Sequence, residues 1–375
     1  MKTFNVYPVY DITPVKAAGS KLWDDKGVEY LDLYGGHAVI SIGHSHPHYV
    51  KAIQEQVGKL GFYSNSVKMP LQDELALKLG ELSGLPDYSL FLANSGAEAN
   101  ENALKLASFQ NGRKNIIAFS KGFHGRTSAA VAVTDNPKIQ APINFSEHVT
   151  ILPFNDVEAV KAAINGDTCA VIMEGIQGVG GVNVATEEFQ KAIRDACDEH
   201  GAVYIHDSVQ CGYGRSGDFF SFQDTDIKPD IISMAKGMGN GFPVGGILIS
   251  PKFEAKFGML GTTFGGNHLA CAAAIAVLDV LKSENLIVNA KVLGDYVLES
   301  LKPLEEAGKI KELRGKGLMI GIELDYPIKE IREKLIFEDK IFVGASGTNT
   351  LRLLPSLGVQ KDELDRFIDA LKGYL

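Results

Sequence analysis

Lys236 ends an apolar run, Asp230-Ile231-Ile232-Ser233-Met234-Ala235, and Gly237 follows it, so a strand should give way there to a glycine turn. An amine fixed at such a point can attack a carbonyl once it has lost its proton. A free lysine titrates near ~10.4, so burial or cationic neighbours must bring that value down by roughly 3 units. A second apolar run, Ala202-Val203-Tyr204-Ile205-His206, ends in Asp207 ahead of Ser208-Val209-Gln210-Cys211-Gly212. Ligands of open α/β sheets lie beyond the carboxyl ends of parallel strands, which lets Asp207 and Lys236 face one crevice. There the lysine would form a Schiff base with an aldehyde cofactor, and the carboxylate would keep a ring nitrogen protonated, making the ring an electron sink. Taken singly, each is more often something plainer: a solvated lysine or a turn-forming aspartate.

Two further strand ends add to this pair. After Ser89-Leu90-Phe91-Leu92-Ala93, the segment Asn94-Ser95-Gly96-Ala97-Glu98 opens a helix, with Ser95 and Glu98 at capping-box spacing. Free N–H groups at a helix start bind phosphate, and Gly96 would let it approach. After Ile116-Ile117-Ala118-Phe119 comes Phe123-His124-Gly125-Arg126-Thr127. Phe123 could stack on a flat ring, and Arg126 could grip a carboxylate with two hydrogen bonds.

The elements that must position these residues read as α/β. Strands are expected near 90–93, 115–119, 148–152, 169–174, 202–206, 231–235 and 244–250, alternating with helices over 98–109, 156–164 and 187–200. This alternation predicts a mainly parallel seven-stranded sheet with helices on both faces. The 244–250 run follows its predecessor through a glycine turn too short for a crossover, which makes it antiparallel. Residues 46–265 are expected to form a large cofactor-binding domain. Residues 1–45 and 266–375 should form a smaller α+β domain able to close over substrate.

Composition excludes several classes. With 375 residues and a formal net charge of −9, the chain lacks the basic surfaces that nucleic acid demands. The N-terminal residues show no signal-peptide core, and the longest apolar stretch, Leu269 to Leu278, is too short for a bilayer, which needs ~20 apolar residues. A buried helix is expected there, in a cytoplasmic enzyme. Cys169, Cys197, Cys211 and Cys271 form no C-x-x-C pair, which fits a reducing compartment. His44-Ser45-His46-Pro47-His48 has neither a carboxylate nor helical spacing, so no metal is expected. Gly212-Tyr213-Gly214-Arg215-Ser216-Gly217 fits a dinucleotide fingerprint, but no helical pattern follows it. A nicotinamide oxidoreductase and a non-catalytic binder of the same fold remain the rival readings.

In the order of its motifs the chain resembles the class III pyridoxal-phosphate aminotransferases, the ornithine and acetylornithine group, from about Tyr10 to the last helix. The landmarks are Gly43-His44-Ser45-His46-Pro47, Asn94 to Asn100, Phe123 to Thr127, Asp207-Ser208-Val209-Gln210, Lys236-Gly237 and Gly261 to Asn267. The resemblance implies the fold type I architecture and pyridoxal 5'-phosphate. It implies that Lys236 carries the cofactor and shuttles the substrate proton, while Asp207 pairs with the ring nitrogen. Gln210 would bond the ring hydroxyl, Val209 and Phe123 would sandwich the ring, and Gly96 and Ala97, beside Ser95, would give backbone donors to the phosphate. Thr263 would reach that phosphate from the second subunit of a homodimer with shared active sites.

The same resemblance implies that Arg126 holds a substrate carboxylate remote from the reacting amine, and that Arg352 holds the α-carboxylate of glutamate. An N-acylated ornithine as donor and 2-oxoglutarate as acceptor would follow, in arginine biosynthesis, with free ornithine or 4-aminobutyrate as alternative donors. The chain departs from the family at Glu174-Gly175-Ile176-Gln177-Gly178-Val179, where Val179 replaces a glutamate that can mask Arg352. An extra carboxylate on the donor, as in N-succinylornithine, is the expectation drawn from that change. Ser208 and Cys211 replace a common glutamate and threonine, and Ser64 to Pro70 lacks the tyrosines often seen there. Local adjustment is expected at the first two, and a reshaped substrate end of the cleft at the third.

Overall fold

The computed structural model describes Met1–Leu375. Its central sheet has seven strands in the order Ser89–Ala93, Gly245–Ile249, Ile231–Met234, Val203–Asp207, Thr168–Glu174, Asn115–Phe119, Val149–Leu152. The neighbours from Ile231–Met234 to Val149–Leu152 pair in parallel, and Gly245–Ile249 runs antiparallel to both of its neighbours. Both expectations hold.

Strand periodicity of two divides the side chains between the faces. Val171, Met173 and Tyr204 pack with Phe189, Ile193 and Cys197 of the Glu187–His200 helix. Their alternates Ala170, Ile172, Val203 and Ile205 pack with Ala99, Ala103 and Ala107 of the Gly96–Asn111 helix. Because both faces are covered, the central strands carry apolar residues at successive positions, and Thr168–Glu174 is buried throughout. The alanine-rich stretch is the His268–Ser283 helix, buried from Ala270 to Leu278 and capped by the Asn267 side chain, which accepts the N–H of Ala270.

The chain ends meet outside this sheet. Glu29–Asp32 pairs in parallel with Ile341–Phe342, and a four-stranded sheet holds Glu312–Lys316, Met319–Glu323, Thr350–Leu353 and Gly344–Ser346. The N-terminal segment also holds the turn at Lys236. Ser41 Oγ donates to Gly237 O at 2.7 Å, and Asn240 Oδ1 accepts the N–H groups of Ser41 and Ile42 at 2.9 and 3.1 Å.

Candidate active site

Lys236 opens a single 3₁₀ turn, Lys236–Met238, just past the Ile231–Met234 strand. Its φ of 48° is left-handed, a conformation that costs a side-chain-bearing residue free energy and persists only where the surroundings enforce it. Burial pulls its ammonium below the ordinary lysine value, and Arg352 adds to this, while Asp207 and Glu174 oppose it. The direction is the one a nucleophilic amine requires.

Asp207 ends the neighbouring strand and is buried. Burial alone would raise its carboxyl, but His124 Nδ1 at 2.7 Å, the Val209 N–H at 3.0 Å and Asn100 Nδ2 at 2.8 Å hold it below the ordinary carboxylate value. His124 is also fully enclosed; burial would lower it, yet the contact with Asp207 raises it above the ordinary imidazole value. Asp207 is therefore a fixed negative charge, aimed by two side chains. The roles of His124 and Asn100 were missed in the sequence, although both stand in segments already singled out. The available signal was polarity at buried positions: Asn100 lies on the inner face of a helix otherwise lined by alanine and leucine.

One cavity of about 260 Å³ gathers the expected residues: Gly96, Ala97, Phe123, Arg126, Asp207, Val209, Gln210 and Lys236 line it, with His124, Gly125 and Glu174. Ser95 caps the helix, its Oγ accepting the Glu98 N–H at 3.2 Å. The reciprocal bond of a capping box is displaced by one residue: Glu98 Oε2 accepts the N–H of Asn94, at 2.8 Å, instead of that of Ser95. A β-carbon on Gly96 would lie 2.6 Å from Val209 Cγ1, so glycine is what lets the helix start come this close to the Asp207 loop. Gly125, with φ of 142°, meets Ala97 in the same way, at 2.8 Å.

Gln210 donates Nε2 to His37 O at 3.0 Å and leaves Oε1 buried without a partner. His37 belongs to a turn, Gly35 to Ala38, in which all four residues have positive φ. An orphaned acceptor, a helix start presenting unshared N–H groups, a fixed carboxylate and a buried lysine together fit pyridoxal 5'-phosphate. Asp207 suits its ring nitrogen, Gln210 Oε1 its ring hydroxyl, Gly96 and Ala97 its phosphate, and Lys236 its aldehyde.

Three expected residues stand apart from that group. Arg352 does not line the cavity; it is buried in the Thr350–Leu353 strand, with one guanidinium nitrogen donating to Gly178 O at 2.8 Å and Nε without a partner. Thr263 is exposed and lies outside the cavity of its own chain. Ser95 Oγ is engaged in the cap, so only its backbone remains for a ligand. The dinucleotide-like segment is a run of turns with no helix after it; its Arg215 is buried and donates to the carbonyls of Leu318, Pro355 and Ile40. His44 of the histidine cluster bonds Asp32 at 2.8 Å, and His46 bonds Glu284 at 2.9 Å.

Fold and site together define an aminotransferase that depends on pyridoxal phosphate. The family model for class III aminotransferases matches residues 5–375, and the chain belongs to that family. Among curated relatives, the acetylornithine aminotransferase of Methanocaldococcus jannaschii is 41% identical over 382 residues, covering 98% of this chain and 94% of the relative. That of Methanosarcina mazei is 40% identical over 359 residues, covering 95% and 90%. The ornithine aminotransferase of Toxoplasma gondii superimposes with a TM-score of 0.92 at 28% identity, covering 98% of this chain and 92% of that one. The acetylornithine aminotransferase of Elizabethkingia anophelis gives 0.85 at 29% identity, covering 99% and 95%.

Proposed function

We propose that this aminotransferase moves the δ-amine of an N-acylated ornithine to 2-oxoglutarate, giving the semialdehyde and glutamate, as a step of arginine biosynthesis in the cytoplasm. The curated relatives named above are acetylornithine aminotransferases. The structural observation carrying the reading is Arg126, exposed on the rim of the Lys236 cavity and tied to no acid of the chain. A guanidinium so placed suits a substrate carboxylate remote from the reacting amine. The bound cofactor supplies the electron sink for the carbon bearing the transferred amine. Lys236 would accept and return the proton at that carbon, Asp207 would keep the ring nitrogen protonated, and Phe123 and Val209 would hold the ring.

A panel of amine donors assayed with 2-oxoglutarate tests this. N-acylornithines should lead by kcat/KM, with free ornithine and 4-aminobutyrate far behind; the reverse order would overturn it. Arg352 bears on a second reading, in which the acyl group carries its own carboxylate, as in N-succinylornithine, although it is buried outside the Lys236 cavity and would have to turn to meet that carboxylate. With Val179 in place of an acid, its buried guanidinium has a backbone carbonyl as partner and no carboxylate. Turnover of N-acetylornithine far above that of N-succinylornithine would remove this reading.

The proposal extends to assembly. Thr263 would complete the phosphate site of a second copy, in a homodimer with shared active sites. Exposed Phe62, Phe257 and Phe264 are apolar surface of the kind such an interface covers. Residues 46–265 would form the cofactor domain, and 1–45 with 266–375 the smaller one.

A further inference from the structure

The short helix Ser128–Ala132 begins just after Arg126 and lacks the ordinary cap. Thr127 stands at the capping position, yet its side chain accepts no helix N–H. A threonine there commonly takes the N–H of the second or third helical residue. Both of those donors go instead to one atom of another helix: Glu101 Oε1, from Gly96–Asn111, accepts the N–H of Ala129 at 2.7 Å and that of Ala130 at 3.1 Å. A carboxylate suits this place, because a helix start carries partial positive charge. The preceding residue holds the other side of the loop, where Asn100 Nδ2 donates to His124 O at 2.7 Å. Thr134 Oγ1 joins the two sides, accepting the His124 N–H at 2.9 Å and donating to Ala130 O at 2.8 Å. Arg126 lies between these anchors, exposed and tied to no acid of the chain. Its aim therefore comes from the backbone that carries it.

We propose that Glu101 is a positioning residue for the amine donor, fixing the Arg126 backbone so that the guanidinium meets the donor's carboxylate while the amine lies at Lys236. One helix then does three things: its start faces the cofactor phosphate, Asn100 aims Asp207 at 2.8 Å, and Glu101 sets the loop of Arg126. The distance from the reacting point to the carboxylate grip is thereby built into a rigid element, which selects donors by where their carboxylate lies.

The inference rests on Arg126 holding the donor carboxylate. The test compares N-acetylornithine with N-acetyl-1,4-diaminobutane, the same donor without that carboxylate, each followed as a single turnover of holoenzyme by cofactor absorbance. Glu101→Ala should lower the preference for N-acetylornithine by roughly fivefold to a hundredfold, the range from loss of a helix cap to a misplacement of about 1 Å. Glu101→Gln, whose amide oxygen still accepts both N–H groups, should keep most of the preference. In an Arg126→Ala background the Glu101→Ala change should lower it no further, since the two act through one contact. Equal slowing of both donors in Glu101→Ala, or an unchanged preference, overturns the inference. An Arg126→Ala enzyme that keeps the wild-type preference would instead overturn the underlying reading. Should Glu101→Ala not fold, Glu101→Asp decides by the same comparison: its carboxylate is one methylene too short to reach Ala129, so the preference should again fall, and a preference equal to wild type overturns the proposal.

Discussion

Lys236 can be replaced by no residue lacking an amine. Lys236→Ala should abolish turnover and covalent retention of the cofactor, read by assay and by intact mass, while the protein still folds; residual transamination near the wild-type rate would contradict the assignment. Lys236 and Asp207 were legible because each ends an apolar run before glycine, a pattern that survives without knowledge of the fold. Their support was not. His124 and Asn100 reach Asp207 from segments 83 and 107 positions away in sequence, and no local spacing encodes such a contact. The pair has a pH signature. Asp207 lies below its ordinary 3.8, so its stabilisation is present above that value and lost as acidification passes its folded value. His124 lies above its ordinary 6.5, so its stabilisation is complete below 6.5 and lost as pH rises through its folded value. The gap in thermal midpoint between apo wild type and His124→Asn should therefore be widest between 3.8 and 6.5 and narrow on either side. A gap independent of pH would refute the pairing.

Among elements, the helix Gly96–Asn111 shows how far pattern reading reaches. Its start, its Ser95 cap and its place after a strand followed from sequence, since caps and apolar spacing are local properties. The displaced bond of Glu98 and the closeness of Val209 did not, because both depend on how a distant loop packs. That packing sets the cost of change. In Gly96→Ala the new methyl would meet Val209 at 2.6 Å, and overpacking of this kind costs roughly 1–3 kcal/mol. Relaxation of the clash would move the helix start away from Val209, and as ~1.4 kcal/mol is tenfold in affinity, cofactor binding should weaken by about fivefold or more to the extent that this cost falls on the bound state. Equilibrium titration of apoenzyme would show it, and unchanged affinity would mean that the helix start is not the phosphate anchor. Arg352 marks the limit of sequence reading at this scale: its type was informative, but its burial behind Gly178 follows from the Thr350–Leu353 strand lying inside a sheet.

For the molecule as a whole, the proposed dimer makes a complementation test possible. If Thr263 serves the opposite subunit, mixing inactive Lys236→Ala chains with weakened Thr263→Ala chains should regenerate hybrid dimers with one intact site. Activity would then exceed that of either parent, and a mixture no better than the sum of its parents would place Thr263 outside the site. The largest apolar core complicates any division into domains. It unites Leu31 and Leu33 near the beginning, Ile232, Met234 and Leu248 of the central sheet, and Leu364 to Leu371 at the end. A fragment spanning 46–265 would leave that face of its sheet bare and should be recovered as aggregate, which expression of the fragment would check.

The pairing of Glu29–Asp32 with Ile341–Phe342 also sets an order of events during synthesis. Glu29–Asp32 leaves the ribosome well ahead of the strand that receives it, since more than 300 residues separate the two along the chain. Until then one edge of Glu29–Asp32 pairs with Lys21–Asp24 while the other carries unpaired backbone groups, a template that another nascent chain could occupy.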